Sequence, residues 1–297
     1  MVDYPFIPEN RDFKFAASDD EFMNQAQKAQ QVHAGDPSYP VGAVLVKNGE
    51  VIASAGNGYN KGRQMHVCPR LVQECPSGTG YDLCTLHDSP GHAEQMVIQK
   101  AKENGLDTEG SDLYMYGHWW ACEPCWNAII EAGVKDVYLL DGADKEFDRD
   151  KVYSKFLQPS VKKVFIAGAM TNVDHIEEQY ALYEALGDIC EEMGCTTCIP
   201  HRDNDRADEM NDSEIFQWSV EQVQDADVIV AEVSRPSLGV GGELVLANRL
   251  EKPIILLSKK DSDVSCFVNG IPSVVYHAKY KDQDEARKYL ANVLKQI

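Results

Sequence analysis

The sequence predicts an α/β protein with two domains in series. Its 297 residues exceed the roughly 100–200 residues of a typical domain and suggest about two. Apolar strand-like segments alternate with helical ones in both halves, and a polar stretch over residues 143–162 separates them. We place the boundary near Leu157–Val161, which gives domains of residues 1–158 and 159–297.

Strand and helix patterns alternate along the first half of the chain. Residues 19–35 have helical spacing and acidic residues at their start, and two short strands then surround a turn at residues 47–50. A stretch rich in Cys, His, Gly and Pro runs from His66 to Gly91. Four further elements follow: a helix ending at Gly105, the strand SDLYMYGHWW, the helix CEPCWNAIIEAG and the strand VKDVYLLDG. This alternation predicts helices packed on the faces of one sheet.

The second half has strands that are apolar almost throughout, each separated from the next by a helix. The strand segments are KVFIAGAM, CTTCIPHRD, DVIVAEV and PIILLS; the helical segments are residues 175–194, 213–226, 241–251 and 284–297. Strands of this kind, buried on both faces, are typical of a doubly wound parallel sheet.

Composition and charge favour a soluble cytosolic protein and argue against unspecific binding to nucleic acid. The formal net charge is −20, and binding to nucleic acid requires basic surface. The sequence contains no run of 18 apolar residues, so no membrane span is expected, and the N-terminus has no signal-peptide pattern. In a cytosolic protein, the nine cysteines are better interpreted as thiols or metal ligands than as disulfides.

A zinc site is predicted from His92, Cys122 and Cys125. Three N/S ligands leave one tetrahedral position open, as in catalytic zinc sites, where bound water has a pKa lowered toward 7. Cys122 and Cys125 share one face of a helix start, whose dipole favours thiolates. Glu94 lies two residues beyond His92, and it can take a proton from the water and give it to a leaving amine.

Residues 18–142 resemble the cytidine/deoxycytidylate deaminases, which share the H-x-E and C-x-x-C motifs. The resemblance implies a three-layer α/β/α domain, zinc on His92, Cys122 and Cys125, and Glu94 as proton shuttle. It also implies that Asn60 contacts the sugar or base. The segment CPR…GTGYDLC is most similar to deoxycytidylate deaminases. One departure is Ala121, where the family usually has proline; Trp119 and Trp120 before it either stack on the base or pack the strand.

A second, structural zinc is one interpretation of the cysteines before this motif. His66, Cys68, Cys75, Cys84 and His87 crowd a loop-like stretch, and some deoxycytidylate deaminases carry such a zinc. We expect Cys68, Cys75, Cys84 and His87 to be its ligands; the alternative is a loop of thiols without metal. Cys195 and Cys198 belong to a predicted strand and are interpreted as structural.

A phosphate site is predicted where the strand ending near Val233 leads into a helix. Gly239, Gly241 and Gly242 let backbone amides approach an anion, and the helix start adds a favourable dipole. Ser237 and Arg235 offer further donors. Glu243 at the helix start is placed to attack the sugar carbon beside that phosphate.

Residues 162–297 resemble the nucleoside 2-deoxyribosyltransferase family, and ADVIVAEVSRPSLGVGGEL is especially similar to its 2′-deoxynucleoside 5′-phosphate N-hydrolases. The resemblance implies a flavodoxin-like domain in which Glu243 is the nucleophile, Ser237 binds the 5′-phosphate and Gly168 approaches the nucleotide. Two positions depart from the family: Ser219 replaces a second carboxylate, and Phe165 replaces a tyrosine. Three carboxylates elsewhere in the chain are candidates to replace the missing second carboxylate, namely Asp208, Asp212 and Glu232.

Together these sites predict a bifunctional pyrimidine nucleotide enzyme. The first domain would deaminate deoxycytidine or cytidine 5′-monophosphate, or a C5-modified form, and the second would release the base from the uridylate. The alternative is a deaminase whose second domain senses a nucleotide without cleaving it. Deamination of bases within nucleic acid is a third hypothesis, against which the net charge of −20 weighs. Both family resemblances imply a homo-oligomer.

Overall fold

The structure, a computed structural model, describes residues 5–58, 67–76, 78–84, 89–157, 160–171 and 174–297. The chain divides into two compact units, and the second starts after Leu157. Each unit contains a five-stranded sheet with helices packed against it, so the predicted α/β class is confirmed. No helix within the described ranges combines the length and apolar character needed to cross a lipid bilayer.

The sheet of the first unit is mixed. Its strands are β1 (Phe13–Ala16), β2 (Gly42–Lys47), β3 (Glu50–Gly56), β4 (Asp112–Tyr116) and β5 (Asp136–Leu140), in the spatial order β1-β5-β4-β2-β3. Strand β2 is antiparallel to β3 and β4, whereas β4, β5 and β1 are parallel. Asn48 and Gly49 form the predicted turn between β2 and β3, with φ of 53° and 80°, as tight hairpins require.

The described helices of the first unit are α1 (Glu21–His33), α2 (Pro69–Val72), α3 (Ala93–Glu103), α4 (Glu123–Glu131), α5 (Ala143–Glu146) and α6 (Arg149–Phe156). Helices α1 and α3 pack closely on the sheet. Helix α1 approaches β2 so closely that a Cβ on Gly42 would lie 2.1 Å from the backbone nitrogen of Gln30. The glycine is therefore required by packing, and the core lies between the helices and the sheet.

Two expectations for the first half need correction. Residues 143–156, interpreted as part of a polar linker, form α5 and α6 because Asp148 caps α6 by accepting hydrogen bonds from two backbone amides. The strand predicted over SDLYMYGHWW ends at Tyr116, since Gly117 has a φ of 102°. Residues 117–121 are therefore a loop leading into α4.

The sheet of the second unit is parallel throughout, as the apolar strands predict. Its strands are β6 (Lys163–Gly168), β7 (Thr196–Cys198), β8 (Val228–Glu232), β9 (Ile254–Lys259) and β10 (Val274–Tyr280), in the order β10-β9-β8-β6-β7. In order along the chain these are the fifth, fourth, third, first and second strands of the unit, which is the flavodoxin-like arrangement. Sequence analysis did not predict the half-exposed edge strand β10, because this strand lacks a continuous apolar run.

The described helices of the second unit are α7 (Ile176–Glu192), α8 (Pro200–Asp203), α9 (Asp212–Asp225), α10 (Leu238–Arg249), α11 (Cys266–Asn269) and α12 (Gln283–Leu294). Helices α7, α9, α10 and α12 pack against the sheet. Helix α10 begins three residues before its predicted start, because Ser237 caps it with its side chain. The strand order reverses between β6 and β8, where ligands bind in doubly wound folds.

Candidate active sites

The predicted zinc ligands converge in the first unit. His92 is the residue before α3, and Cys122 is the residue before α4. Both have an extended backbone, and neither side chain forms a capping hydrogen bond to its helix. His92 Nδ1 lies 3.3 Å from the Sγ atoms of both Cys122 and Cys125. A tetrahedral zinc with bonds of about 2.0–2.3 Å separates such ligand atoms by roughly 3.5 Å. The three residues therefore fit a zinc ion.

The surroundings favour the thiolate at Cys122, whereas burial raises the pKa of Cys125 well above its usual value. A hydrogen bond with Cys125 and the adjacent His92 lower the pKa of Cys122 to about 5, which favours the thiolate that a metal needs. The side-chain amide of Gln95 donates to Cys125 Sγ at 3.7 Å and helps fix its position. Within the described ranges, His92, Cys122 and Cys125 form the one group of three metal-ligating side chains close enough to share an ion.

Glu94 lies in the first turn of α3, and its side chain is buried. Burial raises the pKa of its carboxyl group, and His92 opposes this shift. Glu94, His92 and Cys122 all line one cavity. A carboxyl group with a raised pKa beside a metal centre is suited to accepting and returning a proton near neutral pH.

This cavity has a volume of about 190 Å³, and aromatic rings form part of its wall. Trp119 and Trp120 both line it, so the loop before Cys122 contributes to the site. Three tyrosines complete the aromatic wall: Tyr39, Tyr81 and Tyr153. Their flat apolar faces suit a planar base.

Two arginines in the cavity wall were missed by sequence analysis. Arg70 is 5% exposed, donates from Nε to the Thr79 carbonyl at 2.8 Å and lies 4.4 Å from the ring centre of Tyr81. Arg149 donates from Nη2 to the Cys75 carbonyl at 2.6 Å. Neither guanidinium forms an ion pair with a carboxylate of the described residues. Arg70 is buried and Arg149 is half-buried, and a cation without an ion-paired carboxylate favours an anionic ligand.

His118 adds a neutral donor to the same wall. Burial lowers its pKa to about 3, so the imidazole is uncharged at neutral pH. The backbone amide of Trp120 donates to Nδ1 at 3.2 Å, which assigns the ring proton to Nε2. Sequence analysis missed His118 because it interpreted this segment as a strand.

The structure describes only part of the predicted second metal site and sugar contact. Cys68 and Cys84 are buried and Cys75 is half-buried; a hydrogen bond with Cys84 and burial raise the pKa of Cys68. Asn60, His66 and His87 lie outside the described residues. In the second unit, Cys195 and Cys198 are buried.

The second candidate site surrounds the start of α10. Ser237 Oγ accepts a hydrogen bond from the Val240 amide at 3.4 Å, and the first amides of the helix have no intrahelical partner. Gly241 and Gly242 face open space, with nothing within 4 Å of an added Cβ. The glycines thus lie in the first turns of the helix rather than in a turn before it, and they leave room for a ligand.

Glu243 lies in the second turn of α10, not at its start. Burial raises its pKa to about 7, and within the described ranges no cation or hydrogen-bond donor contacts its carboxylate. Near neutral pH it therefore exists in both protonation states, and its ionised form is free to act as a nucleophile.

The other residues singled out in the second half have varied surroundings. Gly168 ends β6, and a Cβ there would lie 2.0 Å from Cζ of Tyr183, so packing alone requires a glycine. Ser219 is half-buried on α9, and Phe165 is fully buried. Asp208 and Asp212 are exposed. Glu232 is buried and accepts hydrogen bonds from three residues.

Comparison with protein families matches each half of the chain to a different family. Residues 16–141 match the cytidine and deoxycytidylate deaminase zinc-binding region. Residues 164–287 match the nucleoside 2-deoxyribosyltransferase family. Both resemblances drawn from the sequence are therefore confirmed.

Individual relatives match the second half. A Thermofilum pendens protein named as a 2′-deoxynucleoside 5′-phosphate N-hydrolase is 36% identical over 110 residues, which cover 35% of this chain and 77% of the relative. The rat 5-hydroxymethyl-dUMP N-hydrolase is 49% identical over 61 residues, covering 20% of this chain and 37% of the rat protein. Among solved structures, the Clostridium botulinum CMP N-glycosidase matches with 22% identity and a TM-score of 0.35, over 42% of this chain and 94% of that one.

Proposed function

The chain belongs to the nucleoside 2-deoxyribosyltransferase family and carries a cytidine and deoxycytidylate deaminase zinc-binding region, and from this premise we propose a bifunctional pyrimidine nucleotide hydrolase. Residues 1–158 deaminate deoxycytidine or cytidine 5′-monophosphate, or a C5-modified form, to the uridylate. Residues 159–297 then cleave the N-glycosidic bond and release the base and the sugar 5-phosphate.

The deamination rests on one observation: His92, Cys122 and Cys125 lie close enough to share a metal ion, and the buried Glu94 lines the same cavity as His92 and Cys122. Zinc held by these three side chains would supply the Lewis acidity that lets water attack near neutral pH. The Glu94 carboxylate accepts a proton from the attacking water and delivers it to the 4-amino nitrogen of the base. Ammonia leaves, and the C4 carbonyl remains.

Two arginines in the cavity wall support a nucleotide as the substrate rather than a nucleoside. Arg70 and Arg149 have their guanidinium groups anchored on backbone carbonyls of the same loop, at Thr79 and Cys75. Arginine binds phosphate with several parallel hydrogen bonds. The aromatic wall holds the base, and the two arginines bind the 5′-phosphate.

The base release uses the residues around the start of α10. Ser237 and the unpaired amides of the first turn bind the 5′-phosphate. The ionised Glu243 attacks the anomeric carbon; a glycosyl ester forms as the bond to the base nitrogen breaks, and water then hydrolyses the ester.

The experiment is metal analysis of the purified protein combined with a mass-spectrometric screen of nucleoside monophosphates that includes dCMP and its 5-hydroxymethyl derivative. The proposal predicts bound zinc, and uracil-type free base with deoxyribose 5-phosphate as end products. Protein without metal that leaves every cytidylate unchanged would contradict it. Two zinc ions per chain would support a second site on Cys68, Cys75, Cys84 and His87, and one would remove it.

A deaminase with a nucleotide-sensing second unit is the other candidate function. Ser219 favours it, because a serine cannot protonate the leaving base as a carboxylate does. Asp208 and Asp212 are exposed, and Glu232 is already hydrogen-bonded. In the same screen, this candidate predicts uridylate as the end product and no free base.

A further inference from the structure

A buried carboxylate lies where the second sheet meets the loop that leads to Ser237. Glu232 ends β8, is 1% exposed, and pairs in register with Gly168 of β6 and Leu257 of β9. Within the described ranges no Lys, Arg or His forms an ion pair with it. Burying a carboxylate without a cation is unfavourable unless hydrogen bonds replace water, so its partners indicate what it does.

Those partners come from three distant parts of the second unit. Gln179 of α7 donates from Nε2 to Oε2 at 3.1 Å, and the Tyr280 hydroxyl of β10 donates to Oε1 at 2.9 Å. Oε1 also accepts from the Ser234 amide at 3.2 Å and from the Ser234 hydroxyl. Because both carboxylate oxygens are occupied within the protein, Glu232 has little capacity left to act as the missing proton donor.

Ser234 is held from a second side as well. Its Oγ accepts a hydrogen bond from the Lys259 amide, at the end of β9, at 2.7 Å. This amide can only donate, so the hydroxyl proton of Ser234 is left to bind Glu232. The residue is therefore fixed between the ends of two neighbouring strands.

Ser234 is three residues before Ser237, the residue that caps α10 and exposes the first amides of the helix. We propose that Glu232 is a positioning residue: by holding Ser234, it fixes the Ser237 loop in the conformation that binds the 5′-phosphate. This role rests on the proposed base release, and it adds a residue to which neither the motif nor the comparisons give a function.

The arrangement predicts a particular kinetic signature. Phosphate contacts made by Ser237 are present in both the bound substrate and the transition state, so weakening them raises KM more than it lowers kcat. A residue that merely stabilised the fold would lower the amount of active protein, which lowers the apparent kcat and leaves KM unchanged. The two roles are therefore separable.

The test measures base release from 5-hydroxymethyl-dUMP by Glu232→Gln, Tyr280→Phe and Ser234→Ala proteins. We expect KM to rise about tenfold with kcat changed by less than about threefold, the effect of weakening one charged hydrogen bond. Tyr289→Phe is the matched control, since Tyr289 donates to Glu285 at the same 2.9 Å but on the surface of α12. It leaves both constants unchanged.

A double mutant tests whether Glu232 affects KM through Ser237. If Glu232 acts through Ser237, adding Tyr280→Phe to Ser237→Ala changes KM no further, whereas independent roles would multiply the two effects. A lower kcat with unchanged KM in all three single variants, or multiplied effects in the double mutant, would overturn the proposal.

Hydrogen exchange separates this inference from the proposed activity. We expect Glu232→Gln and Tyr280→Phe to speed amide exchange in residues 233–242 at least about tenfold without ligand, and Tyr289→Phe to leave it unchanged. Unchanged exchange in the first two variants would overturn the positioning role even in an active enzyme. If the wild-type protein releases no base while exchange still responds, the proposed cleavage fails and the loop anchor stands.

Discussion

The two units build their candidate sites in different ways. In the first, the side chains come from several elements and meet around a cavity, and each arginine is held by a backbone carbonyl. In the second, Ser237 and Glu243 belong to the cap and the second turn of one helix, and Glu243 has no described partner. The first site is therefore fixed by the whole fold, whereas the second depends on one loop and its anchor.

The largest expected effect removes the nucleophile of the second unit. Glu243→Gln should lower base release at least about 10⁴-fold, because an amide cannot form the glycosyl ester. Deamination of dCMP should stay within about twofold, since the first site has its own residues. Product quantification by liquid chromatography checks both rates, with Glu221→Gln on the exposed face of α9 as control. Free base formed by the Glu243→Gln protein would contradict the assignment.

The corresponding change in the first unit is Glu94→Gln. It should lower deamination about 10³-fold by removing the proton shuttle, while zinc content and base release from 5-hydroxymethyl-dUMP are retained. Ammonia release and metal analysis check this. The control is Glu103→Gln at the exposed end of the same helix, which should deaminate at the wild-type rate. A Glu94→Gln protein of undiminished activity would refute the shuttle.

The arginines sharpen the comparison by testing substrate class. Arg70→Met should lower kcat/KM for dCMP about 10²-fold through the loss of charged hydrogen bonds to phosphate, but change that for deoxycytidine by less than about threefold. The matched control is Arg11→Met: Arg11 also binds backbone carbonyls, at Val134 and Lys135, but lies outside the cavity. Equal losses on nucleotide and nucleoside would mean that Arg70 only supports the fold.

The pH dependence of base release should follow the ionisation of Glu243. With a pKa of about 7 for Glu243, its ionised fraction, and with it the rate of base release, rises about tenfold from pH 6 to 8. The contribution of Glu243 to folding stability changes with pH in the opposite direction to the rate. Because burial raises the pKa of Glu243 in the folded protein above 4.5, this contribution is present below pH 4.5 and is lost as the pH rises through 7. Glu243→Gln should therefore raise the Tm of the second unit relative to wild type more at pH 8 than at pH 4.5, as measured by calorimetry. The same Tm difference at both pH values would refute the shifted pKa.

The smallest expected effect is the change in stability caused by two separate glycine substitutions in the second unit. Gly168→Ala should destabilise the second unit by about 1–3 kcal/mol, because its Cβ would overlap the Tyr183 ring. Gly241→Ala, whose Cβ meets open space within α10, should be neutral or slightly stabilising. Denaturant unfolding checks both variants, and equal stabilities would contradict the packing role of Gly168.

Sequence analysis could predict the metal centre because its signal is local. His92 and Cys122 each precede a helix with clear spacing, and Cys125 follows one turn later, so the motif also fixes the geometry. Arg149 and Tyr153 were missed because α6 buries a single residue, Tyr153, and such a helix has almost no apolar period. Only the capping residue Asp148 indicated a helix there.

The Glu232 network carries no sequence signal at all. Its donors Gln179 and Tyr280 lie about 50 residues to either side, and only the parallel sheet brings them together. The start of α10 was misplaced for a local reason, since three glycines suggested a turn where the Ser237 cap begins a helix.

The most direct test of the central claim is a time course with wild-type protein and dCMP or 5-hydroxymethyl-dCMP, in which all products are quantified. Two sites acting in series predict that uridylate rises first and then falls as uracil-type base and deoxyribose 5-phosphate appear in equal amounts. Uridylate that accumulates without decay, or a cytosine-type base released directly, would contradict the account.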